Sequence, residues 1–72
     1  MKVAEIRSMS SDEIVAKLED TRDEYFRLRF RIHSGQLTDH AALGLTRRTI
    51  ARLATVLRER QLAAELQGET DE

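Results

Sequence analysis

The sequence predicts an all-α fold, a short N-terminal helix followed by a long antiparallel two-helix hairpin. Three observations carry this. Two mostly apolar seams recur at alternating steps of three and four residues, the pattern of helices packed lengthwise. They are Ile14, Leu18, Thr21, Tyr25, Leu28 and Ile32, then Leu43, Thr46, Ile50, Leu53 and Leu57. Gly35 stands between the seams, where a left-handed helix cap belongs. There is no proline and 35% of the residues are charged, a composition suited to long solvated helices.

The elements follow in order. Residues 2–8 give a short helix, broken by the serines that begin at Ser8. Ser10 and Glu13 have the spacing of a capping box, and Met9 and Ile14 that of a hydrophobic staple. A first long helix over 11–34 spans about 36 Å at about 1.5 Å per residue. Residues 35–38 turn, and Thr38 or Asp39 caps the next helix. That helix runs over 39–66, with Gly68 as its stop and an acidic, frayed tail over 67–72. A short connection makes the two long helices antiparallel neighbours. The 72 residues thus form one helical-hairpin domain.

Composition closes off several functions. Without Cys there are no disulfides or thiolate sites, and His33 and His40 alone do not make a zinc site. No stretch approaches the roughly 20 apolar residues of a membrane span, and the N-terminus does not read as a secretory signal. No nucleophile constellation or glycine-rich phosphate loop is present, and a hairpin has no deep pocket for a small-molecule substrate. The reading is non-catalytic, without cofactor or metal.

Charge is segregated. Residues 1–21 carry −2, residues 22–60 carry +5 and residues 61–72 carry −4, within a net charge of −1. Ten of the twelve basic residues are Arg, the side chain that grips phosphate in a planar fork. Arg48 and Arg52 lie four apart on the outward face of the second long helix, flanked by Arg47 and Arg58. Arg27 and Arg31 repeat the spacing on the first, with Arg29 between them. The competing use of these arginines is intrahelical pairing with Asp23, Glu24 and Glu59. Four acids cannot neutralise nine bases in residues 22–60.

Two features exceed a self-sufficient hairpin. Counted from Ile14 at about 100° per residue, Phe26 falls near 120° and Phe30 near 160°, well off the seam. They form an aromatic ledge that Val15 extends. Either the N-terminal segment covers it with Val3, Ile6 and Met9, or a partner does. Leu45 and Val56 fall on the outer face of the second helix near Arg52, a candidate contact surface. Phe26, Phe30, Leu45 and Val56 are therefore protein-interface candidates.

Four blocks, in order, resemble one family. They are Met1-Lys2 with Glu5-Ile6-Arg7; Ser10 with Glu13-Ile14; Phe26-Arg27-Leu28-Arg29-Phe30 followed by Gly35-Gln36-Leu37; and Arg47-Arg48-Thr49-Ile50-Ala51-Arg52 followed by Thr55-Val56-Leu57. Together they resemble the bacterial large-subunit ribosomal protein twenty-nine family over residues 1 to about 62. The resemblance implies a short helix plus a long antiparallel pair, and a cytoplasmic, ribosomal location. It implies binding to large-subunit ribosomal RNA near the nascent-peptide tunnel exit. Ribosomal protein twenty-three and tunnel-exit factors would be its neighbours. Carried over by position, Lys2, Arg7, Arg29, Gln36, Arg47, Arg48 and Arg52 are the RNA-contact candidates, with Arg47 and Arg48 foremost. Their expected role is to neutralise phosphates and fix orientation, not to read bases.

The chain departs from the family at Thr38-Asp39-His40-Ala41-Ala42-Leu43-Gly44, a stretch that is usually basic or amide-rich. The departure implies weaker RNA affinity, or more dependence on neighbouring proteins. The alternative is a free helical-hairpin module that pairs with itself and has lost RNA binding.

Overall fold

A computed structural model describes residues 1–36 and 39–70, with side chains described through Gln67. The chain forms α1 (Val3–Arg7), α2 (Ser11–His33) and α3 (His40–Thr70), with no strand among the described residues. It is a rod of 57 × 20 × 16 Å.

The helix ends are fixed by local chemistry. Ser10 caps α2, its Oγ accepting the Glu13 backbone N–H at 3.2 Å. This is the serine half of the expected capping box. Met9 packs against the core that contains Ile14, as a staple requires. At the far end, Gly35 takes φ +80. The Gly35 N–H donates to the Ile32 carbonyl at 3.1 Å and the Gln36 N–H to the Arg31 carbonyl at 2.9 Å. This is the paired 5→2 and 6→1 pattern of a Schellman cap, which a residue with a Cβ resists. Asp39 opens α3 by accepting the Ala42 N–H at 3.1 Å. The other cap candidate, Thr38, lies outside the described residues. Gly68 does not stop α3, which continues as helix to Thr70. An interior glycine costs a helix only about 1 kcal/mol.

Both seams pack inward. Ile14, Leu18, Thr21, Thr46 and Leu53 are buried, and Tyr25, Leu28, Ile32, Leu43, Ile50 and Leu57 are half-buried. The two seam threonines bury their hydroxyls without loss. Thr21 Oγ1 donates to the Lys17 carbonyl at 2.6 Å and Thr46 Oγ1 to the Ala42 carbonyl at 2.9 Å. The fully buried apolar residues all lie toward the open end of the hairpin, where α1 adds Ile6 to Ile14, Leu18, Leu53 and Val56.

The docking of α1 decides one alternative and corrects one expectation. It packs against α3, not over the aromatic ledge. Phe26 and Phe30 stay 72% and 65% exposed. Hydrogen bonds from Arg52 and Arg60 hold the segment from Met1 to Arg7 along α3, and Met1 lines a groove with Thr21, Glu24, Leu45 and Thr46 instead of lying over the rings on the outer face of α2. The correction concerns Val56, expected on an outer contact face. It is 3% exposed, because the flank of α3 that it occupies is covered by α1.

Arginines hold α1 in place. Arg52 Nη1 donates to the Met1 carbonyl at 2.8 Å. Arg60 donates through Nη2 to the Arg7 carbonyl at 3.0 Å and through Nη1 to Ser11 Oγ at 3.1 Å. Positions 52, 56 and 60 form one stripe at four-residue spacing. Its two arginines bind the two ends of the N-terminal segment and its valine lies beneath, so α1 runs alongside α3 in the same direction.

Candidate nucleic-acid interface

The hairpin divides electrostatically along its length. Residues 25–36, toward the turn on α2, contain Arg27, Arg29 and Arg31 and no carboxylate. Residues 40–58 on α3 contain Arg47, Arg48, Arg52 and Arg58 and again none. Asp39, between these stretches, is occupied as a helix cap. The carboxylates of α2 all lie between Asp12 and Glu24, and none lies in its last nine residues.

Intrahelical pairing does not consume the arginines. Among the described residues the only salt bridge is Arg7–Glu59, at 3.8 Å between exposed groups, and it joins α1 to α3. Asp23 and Glu24 pair with none of the arginines within reach. Arg27, Arg31, Arg47, Arg48 and Arg58 are exposed cations with no ion pair among the described residues. Unpaired guanidinium groups suit phosphate, because no carboxylate has to be displaced before the planar fork grips the anion.

The predicted contact residues separate into two patches. Arg29, Gln36, Arg47 and Arg48 lie on the turn-proximal half, all exposed. Arg29 is held at an edge of α2 by the Tyr25 ring, its Cζ 5.9 Å from the ring centroid. Gln36 uses its backbone N–H in the α2 cap, which leaves its side chain outward. The second patch surrounds α1. Arg7 and Arg52 line one groove with Val3, Ala51, Thr55, Val56 and Glu59, and Lys2 precedes α1 directly. Here the cations are partly engaged, Arg7 with Glu59 and Arg52 with the Met1 carbonyl. Each guanidinium has five N–H groups, so these contacts leave donors for a phosphate.

Arg60 is the side chain that the sequence argument passed over. Its role is to join α1, α2 and α3. The signal was available as its four-residue spacing from Val56 and eight-residue spacing from Arg52. Of the protein-interface candidates, Phe26, Phe30 and Leu45 are exposed and Val56 is not. Among the described residues no group of His, Asp or Glu could hold a metal ion, and no helix is long and apolar enough to cross a membrane.

Comparison with known proteins gives one consistent answer. Residues 4–60 match the family model described as Ribosomal L29 protein. The large ribosomal subunit protein uL29 of Desulforudis audaxviator is 53% identical over 62 residues, covering 86% of this chain and 92% of that protein. The protein of the same name from Streptomyces coelicolor is 42% identical over 64 residues, covering 89% and 86%. That from Thermoanaerobacter sp. is 45% identical over 62 residues, covering 86% and 90%. The match takes in α1, α2 and α3 up to Arg60, which includes every arginine described above, and the chain belongs to the ribosomal L29 protein family.

Proposed function

We propose that Arg47 and Arg48, supported by Arg29 and Gln36, anchor this chain on ribosomal RNA near the nascent-peptide tunnel exit. The chain is a structural constituent of the large ribosomal subunit in the cytoplasm and not an enzyme. The observation that supports the anchoring role is the set of exposed arginines on the turn-proximal half that have no ion pair among the described residues. Phosphate contacts fix the position and orientation of a protein on RNA without reading sequence. A rod with cations on both of its long helices is suited to bridging separate RNA segments. Lys2, Arg7 and Arg52 form a secondary contact at α1, weaker because two of them also hold the fold together. Ribosomal protein twenty-three and the factors that dock at the tunnel exit are the protein neighbours in this reading.

The test is sedimentation of a tagged copy in a sucrose gradient at low and high salt. The wild-type chain should co-migrate stoichiometrically with the large subunit and be released in part by salt. Arg47→Glu with Arg48→Glu should lower its occupancy in subunits. Unchanged occupancy would remove the role given to these two residues. Migration at the top of the gradient at both salts would overturn RNA binding and favour the self-pairing hairpin.

A further inference from the structure

Phe26 and Phe30 are the most exposed of the large apolar side chains among the described residues. With Arg29 and His33 they line one shallow, open groove of about 280 Å³ on the outer face of α2. We infer that this groove is a stacking platform for an unpaired base of the RNA, and that the chain therefore holds its RNA by a base as well as by phosphates.

Several observations lead there. The groove is open to solvent and does not enclose a ligand as a small-molecule site does. No carboxylate lines it, Arg29 does, and the nearest acid along that face of α2 is Asp23, one turn before Phe26. The four residues recur at steps of three, one and three along α2, so ring, guanidinium, ring and imidazole share one helix face. Arg29 is already oriented at that edge by its contact with Tyr25. A helix or loop of a protein partner would use the two rings but not the guanidinium and imidazole that line the groove with them. A single-stranded nucleic acid uses both, with the flat base on an aromatic face and the phosphate on the guanidinium. The chain does not cover the rings itself, since α1 docks on α3 and leaves them exposed. The rings lie one helical turn apart, about 6 Å along the axis, which suits one base rather than a run of bases.

The inference rests on the chain being an RNA binder, and the experiment separates the two. Binding of the full chain to large-subunit ribosomal RNA stripped of protein is measured over a series of salt concentrations. Wild type is compared with Phe26→Leu/Phe30→Leu and with Phe26→Tyr/Phe30→Tyr. Both variants change only exposed positions, and helical circular dichroism checks that each is folded. The leucine pair should weaken binding by at least about fivefold, the lower end of what loss of one stacked base brings, with an unchanged salt slope. The tyrosine pair, which keeps the rings, should bind within about twofold of wild type. Equal binding by the leucine pair and wild type overturns the platform and leaves the phosphate anchor standing. If the leucine pair binds RNA normally but retains less of a neighbouring protein in assembled subunits, the ledge is a protein-docking surface and the inference fails. A wild-type chain that does not bind the stripped RNA overturns the anchor and the platform together.

Discussion

Replacing Ile6 with Ala asks whether α1 is a working part of the fold. A helix of five residues does not persist alone in water, so α1 exists because it is docked. Ile6 is its fully buried side chain, packed with Ile14, Leu18, Leu53 and Val56. Truncating a buried Ile to Ala usually costs about 2–5 kcal/mol. Here the cost has a ceiling, because α1 can leave the surface instead of leaving a cavity. Its remaining attachments are the hydrogen bonds from Arg52 and Arg60 and the exposed Arg7–Glu59 pair. Surface contacts of this kind are each worth about 1 kcal/mol or less. The expected loss is therefore near the low end, about 2 kcal/mol, or roughly 8–16 °C in Tm for a domain of this size. Thermal unfolding gives the Tm shift, and amide exchange shows where protection is lost. The variant should lose protection at Val3–Arg7 and keep it along the middle of α2 and α3. Val15→Ala, at an exposed position of α2, should change stability by no more than about 0.5 kcal/mol. A Tm for Ile6→Ala within about 2 °C of wild type, with α1 still protected, would refute the docking argument.

The remaining predictions concern backbone and charge. Gly44→Ala should stabilise the chain by about 1 kcal/mol, since Gly44 is inside α3 and an added Cβ meets nothing within 4 Å. Gly35→Ala should destabilise it by about 1 kcal/mol although its Cβ also meets nothing, because φ +80 is strained for any side chain. Thermal melts of the two variants must move in opposite directions. Replacing Arg47 and Arg48 with Gln should reduce the salt slope of RNA binding by about 1.4–1.8, the contribution of two phosphate contacts. An unchanged slope would show that neither residue meets a phosphate.

Most of the fold is legible in the sequence because its signals are local. The seams, the Ser10 cap, the Met9 staple and the Gly35 cap each need only a few neighbouring residues, and each appears at its expected place. The docking of α1 is not local. Seam counting treats α3 as having one buried face toward α2, and on that count Val56 is outside. A third helix on the flank widens the buried stripe of α3 to include it. The polar positions four residues to either side, Arg52 and Arg60, then become clamps. Chain length alone does not keep α1 off Phe26 and Phe30, since residues 1–10 extend about 24 Å, enough to come level with Phe26. Its place is set by the hydrogen bonds from Arg52 and Arg60, which join residues 51 and 53 positions apart and leave no local signal.

The location of α1 also determines what kind of surface the hairpin offers. The acids on α2 and the best-packed core share the open end, where α1 completes the fold with Ile6. Toward the turn the apolar seam residues are only half-buried, and the exposed groups include arginines, two phenylalanine rings and Leu45. Had α1 covered the ledge, the apolar part of that surface would have been consumed internally and only the phosphate contacts would remain. Because α1 stays at the open end, the turn half keeps both kinds of group on a scaffold whose stability comes mainly from elsewhere. Like-charged arginines there repel one another and gain little from the free fold. A polyanion that neutralises them should also tighten the weakly packed half, since a ligand that binds only the folded state stabilises it by mass action. Binding and local order at the turn end are thus coupled through the same arginines, while the open end holds the hairpin together whether or not RNA is bound.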